Sequence, residues 1–234
     1  MTSVYAHRGS ASPDVRENTL EAFRAAARLG ADGVELDVRR TADGALVIHH
    51  DIEVKGLGAV SGCLRRDLPA WMPSLEEALA ACSELGLAVN VEVKSELAGP
   101  SHDPMERCAR ESAGLCEAAA GRVDIVVSSF SPAALAAARE VSAELALAWL
   151  AGLGSAGAPA PWRTGRLAAL RLEGVHPADP LVDTGYVALA HADGLAVRVW
   201  TVDDPARIAV LAGLGVAAVI TNDVAAARRA LGNL

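Results

Sequence analysis

The chain has 234 residues, 52% of them hydrophobic, enough to bury one sizeable core without disulfides or partners. Its 21 basic against 29 acidic residues leave a net charge of −8, which speaks against nucleic-acid and anionic-membrane surfaces because both attract basic patches, though a small anionic substrate stays open if a few cations are placed locally. No apolar run approaches the roughly 20 uncharged residues of a membrane span, and Met1-Thr-Ser-Val-Tyr-Ala turns polar before a signal-peptide core forms, so a cytoplasmic protein is expected.

Along the chain, short Val- and Ile-rich runs alternate with Ala- and Leu-rich stretches of helical period, the pattern of repeated βα units around a parallel sheet. Strands are expected to begin at Ser3, Gly33, Leu87, Val123, Leu145, Leu172, Ala196 and Ala217. Helices are expected at Thr19 to Leu29, Leu75 to Leu85, Pro132 to Val141, Pro205 to Leu214 and Val224 to Leu231. Ser74, Ser131 and Asp204 stand as N-caps before an acidic or proline-led first turn. Eight strands in this length predict an α/β fold of one domain over residues 1–234, a closed (β/α)₈ TIM barrel. Two segments break the rhythm. Residues 52–72 are expected to form a short rim at the active site, and Gly152 to Trp162, rich in Gly, Ala and Pro, a flexible loop. Cys63, Cys82, Cys108 and Cys116 are too scattered for zinc-ribbon or CxxC chemistry and read as small core or surface residues.

In such a barrel the chemistry sits at the C-terminal strand ends. Those ends carry His7-Arg8, Glu35 and Asp37, Glu92 and Lys94, Ser128-Ser129, His176, Trp200-Thr201 and Thr221-Asn222. Glu35 and Asp37 are two apart on one strand and therefore point to the same side, and Glu92 ends the next strand. Three carboxylates in one low-dielectric space repel unless a cation joins them, which points to one divalent cation with oxygen ligands, Mg2+ or Ca2+. A buried salt-bridge network with Arg8, Arg39 or Lys94 is the alternative. His7 and His50 each follow an apolar strand-like run and suit acid–base work near neutral pH. Of His49 and His50, alternation lets only one face the carboxylates, with Asp51 placed to orient it. Arg8 and Lys94 are candidates for phosphate oxygens, or for neutralising the carboxylates when no metal is present.

His7-Arg-Gly, Glu17-Asn-Thr-Leu-Glu-Ala-Phe, Gly30-Ala-Asp-Gly-Val-Glu-Leu-Asp-Val, Thr41-Ala-Asp-Gly and His50-Asp together resemble the glycerophosphodiester phosphodiesterase signature in order and spacing. Pro73-Ser-Leu-Glu-Glu-Ala-Leu, Val91-Glu-Val-Lys, Ser128-Ser-Phe-Ser-Pro, Val199-Trp-Thr-Val and Ile220-Thr-Asn extend the likeness over nearly the whole chain. The resemblance implies hydrolysis of a small-molecule glycerophosphodiester to an alcohol and sn-glycerol 3-phosphate. It implies Glu35, Asp37 and Glu92 as metal ligands, His7 and His50 as the acid–base pair, Arg8 and Lys94 at the phosphate, Glu17 as a supporting group and Trp200 as substrate wall. The family also resembles the phosphatidylinositol phospholipases C, where a neighbouring hydroxyl attacks first; His7 as base and His50 as acid would exchange roles in such a two-step path. This chain departs from the usual pattern with Arg16 where family members carry Pro, with Asn222-Asp-Val where they carry Asp and then Pro, and with a short segment after Asp51. The last bears on recognition of the alcohol. A lysophospholipase D-like enzyme acting on a different alcohol is the enzymatic alternative. A non-catalytic binding barrel would be favoured by a missing histidine or ligand, and none is missing.

Overall fold

The computed structural model describes residues 1–96, 98–99, 101–155 and 160–232. The eight short apolar runs are strands, most of them buried on both faces: β1 (Ser3–His7), β2 (Gly33–Arg40), β3 (Ala88–Val93), β4 (Ile125–Ser129), β5 (Ala146–Ala151), β6 (Gly174–Pro177), β7 (Ala196–Val199) and β8 (Ala218–Thr221). All eight are parallel to their neighbours. β1 pairs with β8 on one side and with β2 on the other, which closes the sheet into a barrel.

Helices α1 (Leu20–Arg28), α2 (Leu75–Leu85), α3 (Arg107–Ala119), α4 (Pro132–Val141), α5 (Thr184–Ala192), α6 (Pro205–Gly213) and α7 (Val224–Ala230) surround it. Val34, Leu36, Val38, Val89, Val91 and Val93 point outward into one hydrophobic layer with Phe23 of α1, Leu75 and Leu79 of α2 and Ala109 of α3. Their alternation leaves Glu35, Asp37, Asn90 and Glu92 inside. Gly33 sits where a Cβ would lie 2.6 Å from the Tyr5 ring and 2.7 Å from the Ala88 carbonyl oxygen, so β2 can enter beside β1 and β3 only without a side chain there.

Between β5 and β6 the described residues form three short 3₁₀ turns, Leu153–Ser155, Pro161–Arg163 and Leu167–Ala169, where the other crossovers carry a helix. Of the loop expected over 152–162, residues 156–159 lie outside the described residues. The segment 52–72 folds into a two-stranded hairpin, Glu53–Val54 with Gly58–Ala59, and two 3₁₀ turns. Val54, Val60, Cys63, Leu68 and Met72 give it a small core of its own against Val47. All four cysteines are free, and burial pushes the Cys82 and Cys116 thiols up to about 12. No helix among the described residues is long and apolar enough to cross a membrane.

The cap signals are realised in hydrogen bonds. The Ser74 hydroxyl accepts the Glu77 N–H at 3.2 Å and the Glu77 carboxylate accepts the Ser74 N–H at 2.8 Å, a complete capping box on α2. Ser74→Ala should therefore cost about 1 kcal/mol, which for a domain of this size lowers the melting midpoint by about 2–4 °C. Thermal denaturation of the variant measures this directly; an unchanged midpoint would show that helix packing alone holds α2.

Candidate active site

Glu35 is the residue of β2 in register with His7 on one side and Asn90 on the other, and Asp37 is in register with Glu92. Parallel register thus brings the third carboxylate beside the first two, as the order of the strand ends led one to expect. Glu35, Asp37 and Glu92 are buried, and one oxygen from each lies within 4.8 Å of the others. Glu35 Oε2 accepts the Arg8 backbone N–H at 3.0 Å, while Glu35 Oε1 is buried with no hydrogen-bond partner. Asp37 is gripped by Asn18, whose Nδ2 donates to Asp37 Oδ2 at 2.7 Å and whose Oδ1 accepts the Asp37 N–H at 3.3 Å. Asn18 reaches it from a left-handed backbone with φ of 55°, a conformation asparagine adopts more readily than most residues.

Two cations stand in this cluster. Lys94 Nζ lies 2.8 Å from Asp37 Oδ1 and also bonds Glu92 Oε1, and Arg8 Nε lies 3.4 Å from Asp37 Oδ2. Arg8 and Lys94 thus pair with the triad, but two positive charges do not balance three negative ones. Burial, then the Asp37 and Glu92 charges, push the Glu35 carboxyl well above its ordinary value, and burial also raises Glu92. Burial acts the same way on Asp37, but there Lys94 and Arg8 outweigh it and hold the carboxyl below its ordinary value. A carboxylate oxygen without a partner and two carboxyls raised by burial, with neighbouring carboxylates adding to it, fit a hard divalent cation with oxygen ligands.

Both candidate histidines reach the same space. His7 ends β1; its Nδ1 lies 2.9 Å from Asn222 Oδ1 and its Nε2 4.0 Å from Glu35 Oε2. Burial lowers the pKa of His7, against the raising effect of the Asn222 hydrogen bond. His50 arrives differently. After the turn Thr41-Ala-Asp-Gly, Leu46–Ile48 pairs antiparallel with the end of β2, and the Arg39 guanidinium donates to the His50 carbonyl at 2.7 and 2.9 Å. His50 Nδ1 lies 2.8 Å from Asp51 Oδ1, and that hydrogen bond holds Asp51 below the usual carboxylate range. His49 turns away, its Nε2 at 3.2 Å from the Glu53 carbonyl oxygen and its ring 6.2 Å from that of Trp71.

His7, Arg8, Glu35, His50, Glu92 and Lys94 line one cavity of about 140 Å³, with Phe130, Leu150, Trp200 and Ile220 as its apolar wall. Trp200 is fixed by an Nε1–H bond to the His176 carbonyl oxygen at 2.7 Å and by an edge contact with Phe130 at 5.6 Å. Glu17 accepts from Arg8 Nη1 at 3.0 Å, so it supports the arginine from outside the carboxylate cluster. His176, a strand-end candidate in the sequence, is wholly buried and does not line this cavity; burial and Arg198 drive its pKa well below the ordinary value. Sequence reasoning missed Asp203, which directly precedes the Asp204 cap of α6, and it gave Asn18 and Asn222 no task. Their signal was a polar side chain placed directly after a strand or before a helix, which becomes legible only when the neighbour across the barrel is known.

An eight-stranded barrel that gathers three carboxylates, two imidazoles and two cations at its C-terminal mouth has the layout of an enzyme's active site. Residues 7–226 match the model of the Glycerophosphoryl diester phosphodiesterase family, and the chain belongs to that family. It is 29% identical to the glycerophosphodiester phosphodiesterase of Caldanaerobacter subterraneus subsp. tengcongensis, over 95% of this chain and 94% of the relative. Among solved structures, it is similar to a phosphodiesterase of Oleispira antarctica in complex with the product sn-glycerol-3-phosphate, at 26% identity and a TM-score of 0.85, covering 99% of this chain and 97% of that one. It is also similar to the glycerophosphodiester phosphodiesterase of Thermotoga maritima, at 26% identity and a TM-score of 0.76 over 96% of each chain.

Proposed function

We propose that this enzyme hydrolyses glycerophosphodiesters to sn-glycerol 3-phosphate and an alcohol, with His7 and His50 exchanging the protons. The observation that carries the reading is the crowded carboxylate triad, one oxygen of it unpartnered, in a cavity that both imidazoles line. Glu35, Asp37 and Glu92 would hold one magnesium or calcium ion, which when bound polarises a phosphoryl oxygen as a Lewis acid. Arg8 offers a planar fork and Lys94 a point charge to the phosphate oxygens. His7, kept neutral by burial, takes at Nε2 the proton of the water whose oxygen bonds to phosphorus, because Nδ1 is engaged by Asn222. His50, oriented by the Asp51 carboxylate at Nδ1, gives a proton to the departing alkoxide as the P–O bond breaks. If a neighbouring substrate hydroxyl attacks first, the two exchange roles in the second step. Free thiols, three of them buried, are in keeping with the reducing cytoplasm.

One feature favours a second reading, in which the substrate is an amphiphile with a longer apolar part. Ile52, Leu57, Phe130 and Leu153 are large apolar side chains left exposed on loops that follow strands at the catalytic end. The test is release of glycerol 3-phosphate from glycerophosphocholine and glycerophosphoethanolamine by chelator-treated protein with magnesium or calcium restored, beside release of choline from lysophosphatidylcholine. Ion-dependent turnover of the water-soluble diesters supports the first reading. Turnover of the lysolipid alone moves the assignment to the second, and no turnover of any phosphodiester overturns both.

A further inference from the structure

The His7 ring is held by a chain of contacts that begins on a carboxylate two strands away in the barrel order. Asp203 follows β7, and Asp204 beside it caps α6 by accepting the Ala206 N–H at 3.0 Å, so Asp203 is left free to face β8. There Asp203 Oδ1 accepts the Thr221 hydroxyl at 2.9 Å and the Asn222 N–H at 2.8 Å, and Asp203 Oδ2 accepts from Asn222 Nδ2 at 2.8 Å. Burial raises the Asp203 carboxyl, but the Asn222 and Thr221 hydrogen bonds outweigh it and keep the group ionised at neutral pH. An ionised carboxylate only accepts. The NH2 of Asn222 must therefore face Asp203, which turns Asn222 Oδ1, also only an acceptor, toward His7 Nδ1 at 2.9 Å.

We propose that Asp203 and Asn222 are positioning residues that fix His7 as the Nδ1–H tautomer, leaving the Nε2 lone pair toward the carboxylate triad where the proton is taken. This rests on the reading of His7 as the base. The donor and acceptor order admits one arrangement: carboxylate, amide NH2, amide oxygen, imidazole Nδ1–H. His50 is oriented by a carboxylate in direct contact, whereas His7 is oriented through an interposed amide. The tautomer of His7 is thus set by a loop and a strand end with no contact to the metal-binding triad themselves.

Asp203→Asn tests the chain with an isosteric change. The new amide keeps its oxygen for Thr221 and the Asn222 N–H and turns its NH2 toward the Asn222 side chain, which then has to rotate and present its own NH2 to His7. The ring shifts to the Nε2–H tautomer, read from the ¹⁵N resonances of His7 in ring-labelled protein and identified by their absence in His7→Gln. The kcat should fall about 10²–10⁴-fold, the size of a lost general base or a wrong tautomer. The swapped pair Asp203→Asn with Asn222→Asp restores an acceptor to Nδ1–H, and should return the tautomer and bring kcat within about tenfold of the wild type. Asp203→Asn that keeps the wild-type tautomer and loses only melting temperature overturns the proposal, as does a swapped pair that stays Nε2–H. The tautomer is read without turnover, so a protein inactive on every diester would sink the functional reading and leave this one decided on its own.

Discussion

Glu35→Gln is expected to abolish ion-dependent turnover while leaving the barrel folded. Its carboxylate supplies the buried oxygen that has no partner, and it lies in register with His7, so it joins the proposed ion to the base. A Lewis acid contributes several kcal/mol of transition-state stabilisation, which at about 1.4 kcal/mol per tenfold corresponds to a loss of about 10³-fold or more in kcat. The same substitution has an opposite effect on stability when no ion is present. The Glu35 carboxyl is raised above its ordinary value of 4.5, so the folded state holds a proton that the unfolded chain has released. Stability is then lost as pH rises above about 4.5 toward the folded-state value. Ion-free wild type should therefore melt progressively below Glu35→Gln as pH is raised through that window. Magnesium or calcium at about 100 times its dissociation constant should add about 2.7 kcal/mol to the wild type and little to the variant. Scanning fluorimetry across pH, with and without ion, reads both effects. A variant that keeps activity within tenfold and the full ion-induced shift would remove Glu35 from the metal site.

The two histidines should separate by leaving group. His7→Gln and His50→Gln are each expected to lower kcat on glycerophosphocholine by about 10²–10⁴-fold, the usual contribution of a positioned acid or base. Neither should change the ion-induced rise in melting temperature, since neither belongs to the carboxylate triad. With a nitrophenyl ester in place of the choline ester, the departing phenolate needs no proton. First-turnover release of nitrophenolate should then recover to near wild-type rate in His50→Gln and stay depressed in His7→Gln. The reverse pattern would exchange the roles. Equal losses on both esters would show that His50 acts on something other than the leaving oxygen.

Much of this site was legible in the sequence because its strongest signal is local. A two-residue period makes Glu35 and Asp37 share a face whatever the rest of the chain does, and the outward Val34, Leu36 and Val38 say which face is which. The His7-Arg-Gly, Glu17-Asn-Thr and His50-Asp strings added the family and with it the expected tasks of residues whose neighbours were unknown. The choice between His49 and His50 was not local. It depends on the antiparallel return of Leu46–Ile48 along β2 and on Arg39 clamping the His50 carbonyl.

By itself the sequence determined the alternation of strands and helices, the number of barrel strands, the capped helix starts and the pair of same-side carboxylates, because periodicity and capping act within a few residues. Only the tertiary structure decided the rest. Parallel register set Glu92 opposite Asp37, Lys94 came to rest between them, and Asn18 closed on Asp37 from the loop before α1. Closure of β8 onto β1 brought Asn222 against His7 across a separation of 215 residues. No periodicity reaches that far; such a contact exists only once a barrel of fixed strand number and stagger brings its last strand back beside its first.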